Sequence, residues 1–172
     1  MSIYFSTGGY KNQISKDVVK TLIDIGIKDI ELSGTRYSKD NIKDLGKFLE
    51  FSNLQIHNYF PPPKEPFVLN LASMNEVIAK KTFDHIMNAI DVCKELNCKY
   101  YSFHAGFLCD IKISEIGKKV DRKILQDREK SLDLFVNRIS KISEKAKEKN
   151  IKIMIENNVL SKNNKICFEG NP

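Results

Sequence analysis

No apolar run in this sequence is long enough to span a bilayer, which excludes a membrane-spanning helix of the usual kind. The N-terminus shows no basic region followed by an apolar stretch and a small-residue cleavage site, so no secretory signal is read and a cytoplasmic location is expected. None of the four cysteines (Cys93, Cys98, Cys109, Cys167) forms a CxxC pair. That argues against a thiolate metal site and for structural thiols in a reducing compartment. No GxGxxG and no GxxxxGKS/T follows an apolar run, so nucleotide-binding folds lose support. A block of like charge is missing too. The formal charge is +6, but the lysines are scattered over helical surfaces, as in "SEKAKEKNIK". A basic balance admits a nucleic-acid binder and suits phosphorylated small molecules equally well.

What is present is a chain of 172 residues, 41% hydrophobic and 29% charged. That is the profile of a soluble globular protein, long enough to bury roughly 70% of its unfolded surface. A single domain over residues 1–172 is expected. One unit recurs along it. "IYFSTGGY" (3–10) reads as a strand closed by glycines. "SKDVVKTLIDIG" follows as a helix, with Ser15 as its N-cap and Gly26 at its end. "KDIELSG" (28–34) is the second strand, and "SKDNIKDLGKFLEF" the second helix, with Ile42, Leu45 and Leu49 on one face. "LQIHNYF" (54–60) is a third strand, stopped by Pro61, Pro62 and Pro63.

A helix over 75–97 turns Phe83, Ile86, Ile90, Cys93 and Leu96 inward. "KYYSFHAG" is the fourth strand, and a polar stretch with a short helical turn follows it. A helix over 127–149 carries the stripe Leu132, Phe135, Ile139, Ile142 and Ala146. "IKIMIENN" (151–158) is the fifth strand. Alternating strands and helices imply parallel pairing with right-handed crossovers. The fold class is therefore α/β, and two layouts compete, a doubly wound open sheet and a (β/α) barrel; the missing nucleotide motifs weaken the first, so a (β/α) TIM-barrel type is expected. About five of the eight units that a closed barrel requires are present, so an incomplete, C-terminally truncated barrel is expected.

In such architectures the chemistry lies at the carboxyl ends of the strands. Strands three, four and five bring His57, His104 and Glu156 to those ends. The chain has three histidines, and two fall here. His85, inside a helix between Phe83 and Ile86, is read as structural or exposed. Two imidazoles and a carboxylate suit a divalent transition metal with positions left open for substrate or water. A carboxylate at its edge can move a proton between carbons. Taken singly, each has a plainer reading: a satisfied strand-end histidine, a turn-capping glutamate, and turn residues in Asn58, Asn157 and Asn158. Their equivalent places in successive repeats favour the functional one. Glu31, on strand two, is a candidate for orienting substrate or pairing with a lysine. Arg36 is a candidate for meeting a phosphate or for the surface, and Tyr59 and Phe60 for lining a sugar face.

At these residues the sequence resembles the xylose isomerase-like TIM-barrel superfamily. "GIKDIELSG" resembles its second-strand pattern, and "IHNYFPPPKEPFVLNLAS" the third-strand segment. "FHAG" is similar to the fourth-strand His-Pro-Gly, with Ala105 in place of Pro, and "IENN" to the fifth-strand Glu-Asn. The resemblance implies a sugar or sugar-phosphate isomerase or epimerase, working by metal-assisted proton transfer next to a carbonyl. It implies His57, His104 and Glu156 as metal ligands, Glu156 also as the proton-transfer group, and Glu31, Asn58 and Asn157 as substrate-binding residues. The metal would be Zn, Mn, Mg or Co, and the partner a small sugar or sugar phosphate. No membrane partner is expected, nucleic acid is disfavoured, and open sheet edges make homo-oligomers an expectation.

The family draws an Asp, a His and a second Glu from strands six to eight, which are missing here, so weak or no activity is expected of the 172 residues alone. Two other readings stand beside this one. One is an endonuclease IV-like nuclease of apurinic DNA, favoured by the histidine pair and the basic charge. The other is a non-catalytic remnant or interaction module.

Overall fold

The computed structural model describes residues 3–10, 12–120, 125–156 and 164–169, without the side chains of residues 166 and 169. Among them, five parallel strands form one sheet in sequence order. They are β1 (Phe5–Ser6), β2 (Asp29–Leu32), β3 (Asn53–His57), β4 (Tyr100–His104) and β5 (Lys152–Glu156). The register pairs Ser6 with Glu31, Glu31 with Gln55, and His57 with Ser102. Strand β5 joins through the Lys152 amide, which donates to the Lys99 carbonyl at 2.9 Å. The connecting helices are α1 (Ser15–Asp24), α2 (Asn41–Gly46), α3 (Glu76–Glu95) and α4 (Arg128–Glu148), with a short α5 (Ile166–Glu169) after β5. No helix among the described residues is long and apolar enough to cross a membrane.

Two compact units divide these residues. The first comprises residues 1–65, 88–103 and 146–154, and it holds nearly all of the sheet. Side chains alternate sides along a strand, and the sequence exploits this. Ile30, Leu32, Leu54, Ile56, Tyr101 and Phe103 are buried on one face. Each full burial of this kind stabilises the fold by about 1.5–3 kcal/mol. The residues between them, Glu31, Gln55, His57 and Ser102, take the other face. Val18, Val19 and Leu22 of α1 and Leu45 of α2 belong to the same apolar core. The second unit comprises residues 66–87, 104–145 and 155–172. Within it, Arg138 of α4 donates to the carbonyls of Leu71 and Ser73, both at 2.8 Å. Cys109, Val120 and Cys167 form a small buried cluster there.

Several local expectations are revised. Ser15 is no cap: Ile14 precedes α1, and the buried Ser15 hydroxyl is hydrogen-bonded to Thr35. Helix α2 ends at Gly46, where successive turns replace the longer helix. Strand β3 stops before the prolines, because Asn58 turns into the left-handed region at φ 40°; Asn tolerates that turn better than most residues. Leu132 does not belong to the buried stripe of α4 and is 52% exposed, whereas Ile142 and Ala146 are buried. Phe60 is fully buried in the core, so it cannot line a sugar. His85 is buried, edge-on to Phe67.

Candidate functional site

The polar face of the sheet ends in titratable groups. His57 is the last residue of β3, His104 of β4 and Glu156 of β5. Within the second unit, His104 and Glu156 each present one ligand atom, and the two lie within 4.8 Å of one another. The three side chains are half-buried. The Ser102 hydroxyl lies 2.9 Å from His57 Nδ1, in hydrogen-bond contact. Ser102 itself is buried, so it fixes the ring from inside the sheet. Sequence reasoning passed over Ser102, yet its signal is legible: it sits two residues before His104, on the same side of β4.

The remaining candidates lie elsewhere. Glu31 is half-buried in the middle of β2, paired in register with Gln55 one residue pair before His57, and it is not among the clustered ligand atoms. Asn58 contributes backbone: its carbonyl accepts from the Tyr101 hydroxyl at 3.0 Å, and its amide donates to Ser102. Burial pushes the Tyr101 phenol far above its ordinary range, so it stays a neutral donor. Asn157 lies outside the described residues. Arg36 has an exposed side chain, and its backbone amide donates to Gln13. Tyr59 is half-buried and faces Gly34, where an added Cβ would stand 3.6 Å from its ring.

Around His104, the second unit encloses a cavity of about 320 Å³. Phe107, Ile111, Ile116, Val120 and Phe168 give it mainly apolar walls. Its neighbouring polar side chains have internal partners: Asn164 accepts from the Val120 amide at 3.0 Å and donates to the Lys118 carbonyl at 3.1 Å. The cysteines are buried thiols. A hydrogen bond with Cys98, followed by burial, holds the Cys93 thiol protonated, which suits neither metal binding nor nucleophilic chemistry.

The donor set is chemically consistent with a divalent ion. Two imidazoles and one carboxylate are ligand types of zinc and its first-row neighbours, and a hydroxyl holding the second nitrogen of His57 is the kind of support that orients ligand rings. An arrangement of this kind can also bind an anionic or hydroxylated substrate directly through the imidazoles.

Comparison with known proteins places the fold. A D-tagatose 3-epimerase-like protein superimposes with a TM-score of 0.67 at 24% identity, covering 94% of this chain and 55% of that one. A protein from Thermus thermophilus, soaked with zinc chloride, gives a TM-score of 0.60 at 16% identity, over 90% of this chain and 55% of that one. At these identities the likeness establishes a shared fold. A probable endonuclease 4 of Persephonella marina is 35% identical over 54 residues, 31% of this chain and 19% of that protein. The chain thus spans about half the length of the solved structures, and less of this curated relative. The profile of one family, described as xylose isomerase-like TIM barrel, matches residues 19–166. The chain belongs to the xylose isomerase-like TIM barrel family.

Proposed function

We propose that this chain serves a sugar or sugar-phosphate isomerase or epimerase, with proton transfer next to a carbonyl. The observation that carries the reading is that His57, His104 and Glu156 end three successive strands, with the His104 and Glu156 ligand atoms within 4.8 Å of one another. The epimerase-like structural neighbour supports a sugar as substrate class. Bound by His57, His104 and Glu156, a divalent cation would supply a Lewis acid for a sugar carbonyl oxygen. The zinc-soaked neighbour supports such an ion. His57, with Nδ1 held by Ser102, offers Nε2 to the site. Glu156, at the end of β5, is the carboxylate that takes and returns a proton at the carbon beside the carbonyl. Glu31 and Asn157 are proposed to bind substrate hydroxyls, and Asn58 to shape the rim through its backbone. The cavity beside His104 gives the substrate a partly dry enclosure.

Two measurements test this. Metal content of the purified chain should fall sharply in His104→Ala and in Glu156→Ala; unchanged content in both removes the ligand assignment. Deuterium that the metal-loaded chain washes into D-tagatose in D2O should be lost in Glu156→Ala. Exchange that persists unchanged in that variant argues against the reaction.

One observation favours a second reading. The similarity to a probable endonuclease 4 supports cleavage of apurinic DNA by the same ligands. Nicking of an abasic duplex, absent on intact duplex, would move the assignment there.

A further inference from the structure

Asn70 lies 34 residues before His104, in the segment that follows β3. It is 1% exposed. Its side-chain amide is fully engaged: Nδ2 donates to the Phe107 carbonyl at 3.1 Å and to Asp110 Oδ1 at 2.9 Å, while Oδ1 accepts from the Phe107 amide at 3.0 Å and the Ala72 amide at 3.2 Å. Phe107 therefore gives both its backbone groups to one primary amide. That two-bond ring is the pattern by which neighbouring strands bond, so Asn70 stands in for a strand partner three residues past His104. Its own backbone is pinned as well, with its amide donating to Thr82 Oγ1 at 3.0 Å. Between His104 and Phe107 the chain passes Gly106 at φ +145°, where a Cβ would meet Asn70 Oδ1 at 2.6 Å. The far end of the network is anchored by Ser73, whose hydroxyl donates to Asp110 Oδ2 at 3.0 Å.

We propose that Asn70 is a positioning residue for His104: by acting as a surrogate strand partner for Phe107, it fixes the backbone that carries the imidazole and so sets its reach toward Glu156. An open loop after β4 would let the ring swing on a free end, whereas a clamp three residues on restrains it from both sides. The consequence for metal affinity rests on the function proposed above. The consequence for ring position does not.

The test separates the two. In the metal-free chain, ¹⁵N-resolved imidazole spectra of Asn70→Ala should show the His104 signals shifted or broadened, with those of His57 unchanged. Asp110→Asn, which alters only the far partner of the amide, should move the same signals less and should keep the fold even if Asn70→Ala does not. Thr82→Val, which removes the acceptor of the Asn70 backbone amide, controls for loss of stability alone and should leave His104 in place. In a zinc titration, Asn70→Ala should weaken binding about 10-fold, as loss of a supporting residue around a metal does. His104 signals unmoved in Asp110→Asn, and in folded Asn70→Ala, overturn the proposal. Equal movement of His104 in Thr82→Val overturns it too, because the effect would then follow stability. A wild-type chain that binds no zinc counts against the metal reading while the imidazole spectra still decide the role of Asn70.

Discussion

The polar face of the sheet has two ends, and they differ in kind. At the amino ends of the strands, Tyr4, Asp29, Asn53, Lys99 and Tyr100 line a cavity of about 350 Å³. Their polar groups include a bond with one another, Asn53 Nδ2 donating to Asp29 at 2.7 Å. Burial and the nearby Asp29 raise the Tyr4 phenol above its ordinary value, and the amides of Asn53 and Asn97 stand beside it with Asp29 and Lys99. At the carboxyl ends stand His57, His104 and Glu156, the last two with their ligand atoms within 4.8 Å of one another. Cavity size favours the first end; donor chemistry favours the second. Polar lining is common wherever a sheet face meets water, whereas an imidazole held beside a carboxylate at strand ends has no packing rationale.

Substitutions at the two ends should sharpen that contrast. The largest effect expected is on metal affinity at the carboxyl end: His104→Ala should weaken zinc binding by about 100-fold or more, read by competition with a chelating dye. Ser102→Ala, which frees the His57 ring, should cost about 10-fold in the same titration, and equal affinity would show that the hydroxyl does not orient the ring. At the amino end, Asn53→Ala should leave zinc affinity unchanged and lower stability by about 0.5–1.5 kcal/mol in urea unfolding. A metal effect there would erase the distinction. The smallest effect lies away from both ends. Hydrogen bonds from Lys47 and Lys16 hold the Asp44 carboxyl below its ordinary value. A carboxylate with a depressed folded-state pKa stabilises the fold above its unfolded value and loses that contribution as pH falls through the folded one. Asp44→Asn should therefore narrow the stability gap between pH 6 and pH 3 slightly, as urea midpoints would report; the solvent-exposed ammonium partners keep the effect small.

Much of this was open to reading because period two and period 3.6 are written plainly in the chain. "NLQIH" and "YYSFH" alternate so regularly that the facing of His57 and His104 follows from parity alone, and a parallel α/β sheet follows from the strand-helix alternation, with the strand-end motifs pointing to the barrel. Two of the misreadings come from tertiary context that overrules the local signal. Ser15 has the look of a cap, but Thr35, 20 residues away, takes its hydroxyl into the interior. Phe60 sits beside the rim residues in sequence and is nevertheless packed into the core. The role of Asn70 could not be read locally either, since all its side-chain partners but Ala72 lie 37 or more residues on. Glu31, read as a substrate-orienting candidate, sits one step short of the end of its strand.

Because neighbouring residues of β4 face opposite ways, its five positions obey a frame, much as codons do. Tyr101 and Phe103 are wholly enclosed while Ser102 and His104 look the other way. Deleting one residue from the middle of the strand would swap these roles at a stroke, sending an imidazole among aliphatic side chains and a phenyl ring toward the polar rim. Conservative exchanges at a single position leave the frame intact. This strand should accordingly accept point changes in a mutational library far more readily than it accepts insertions or deletions.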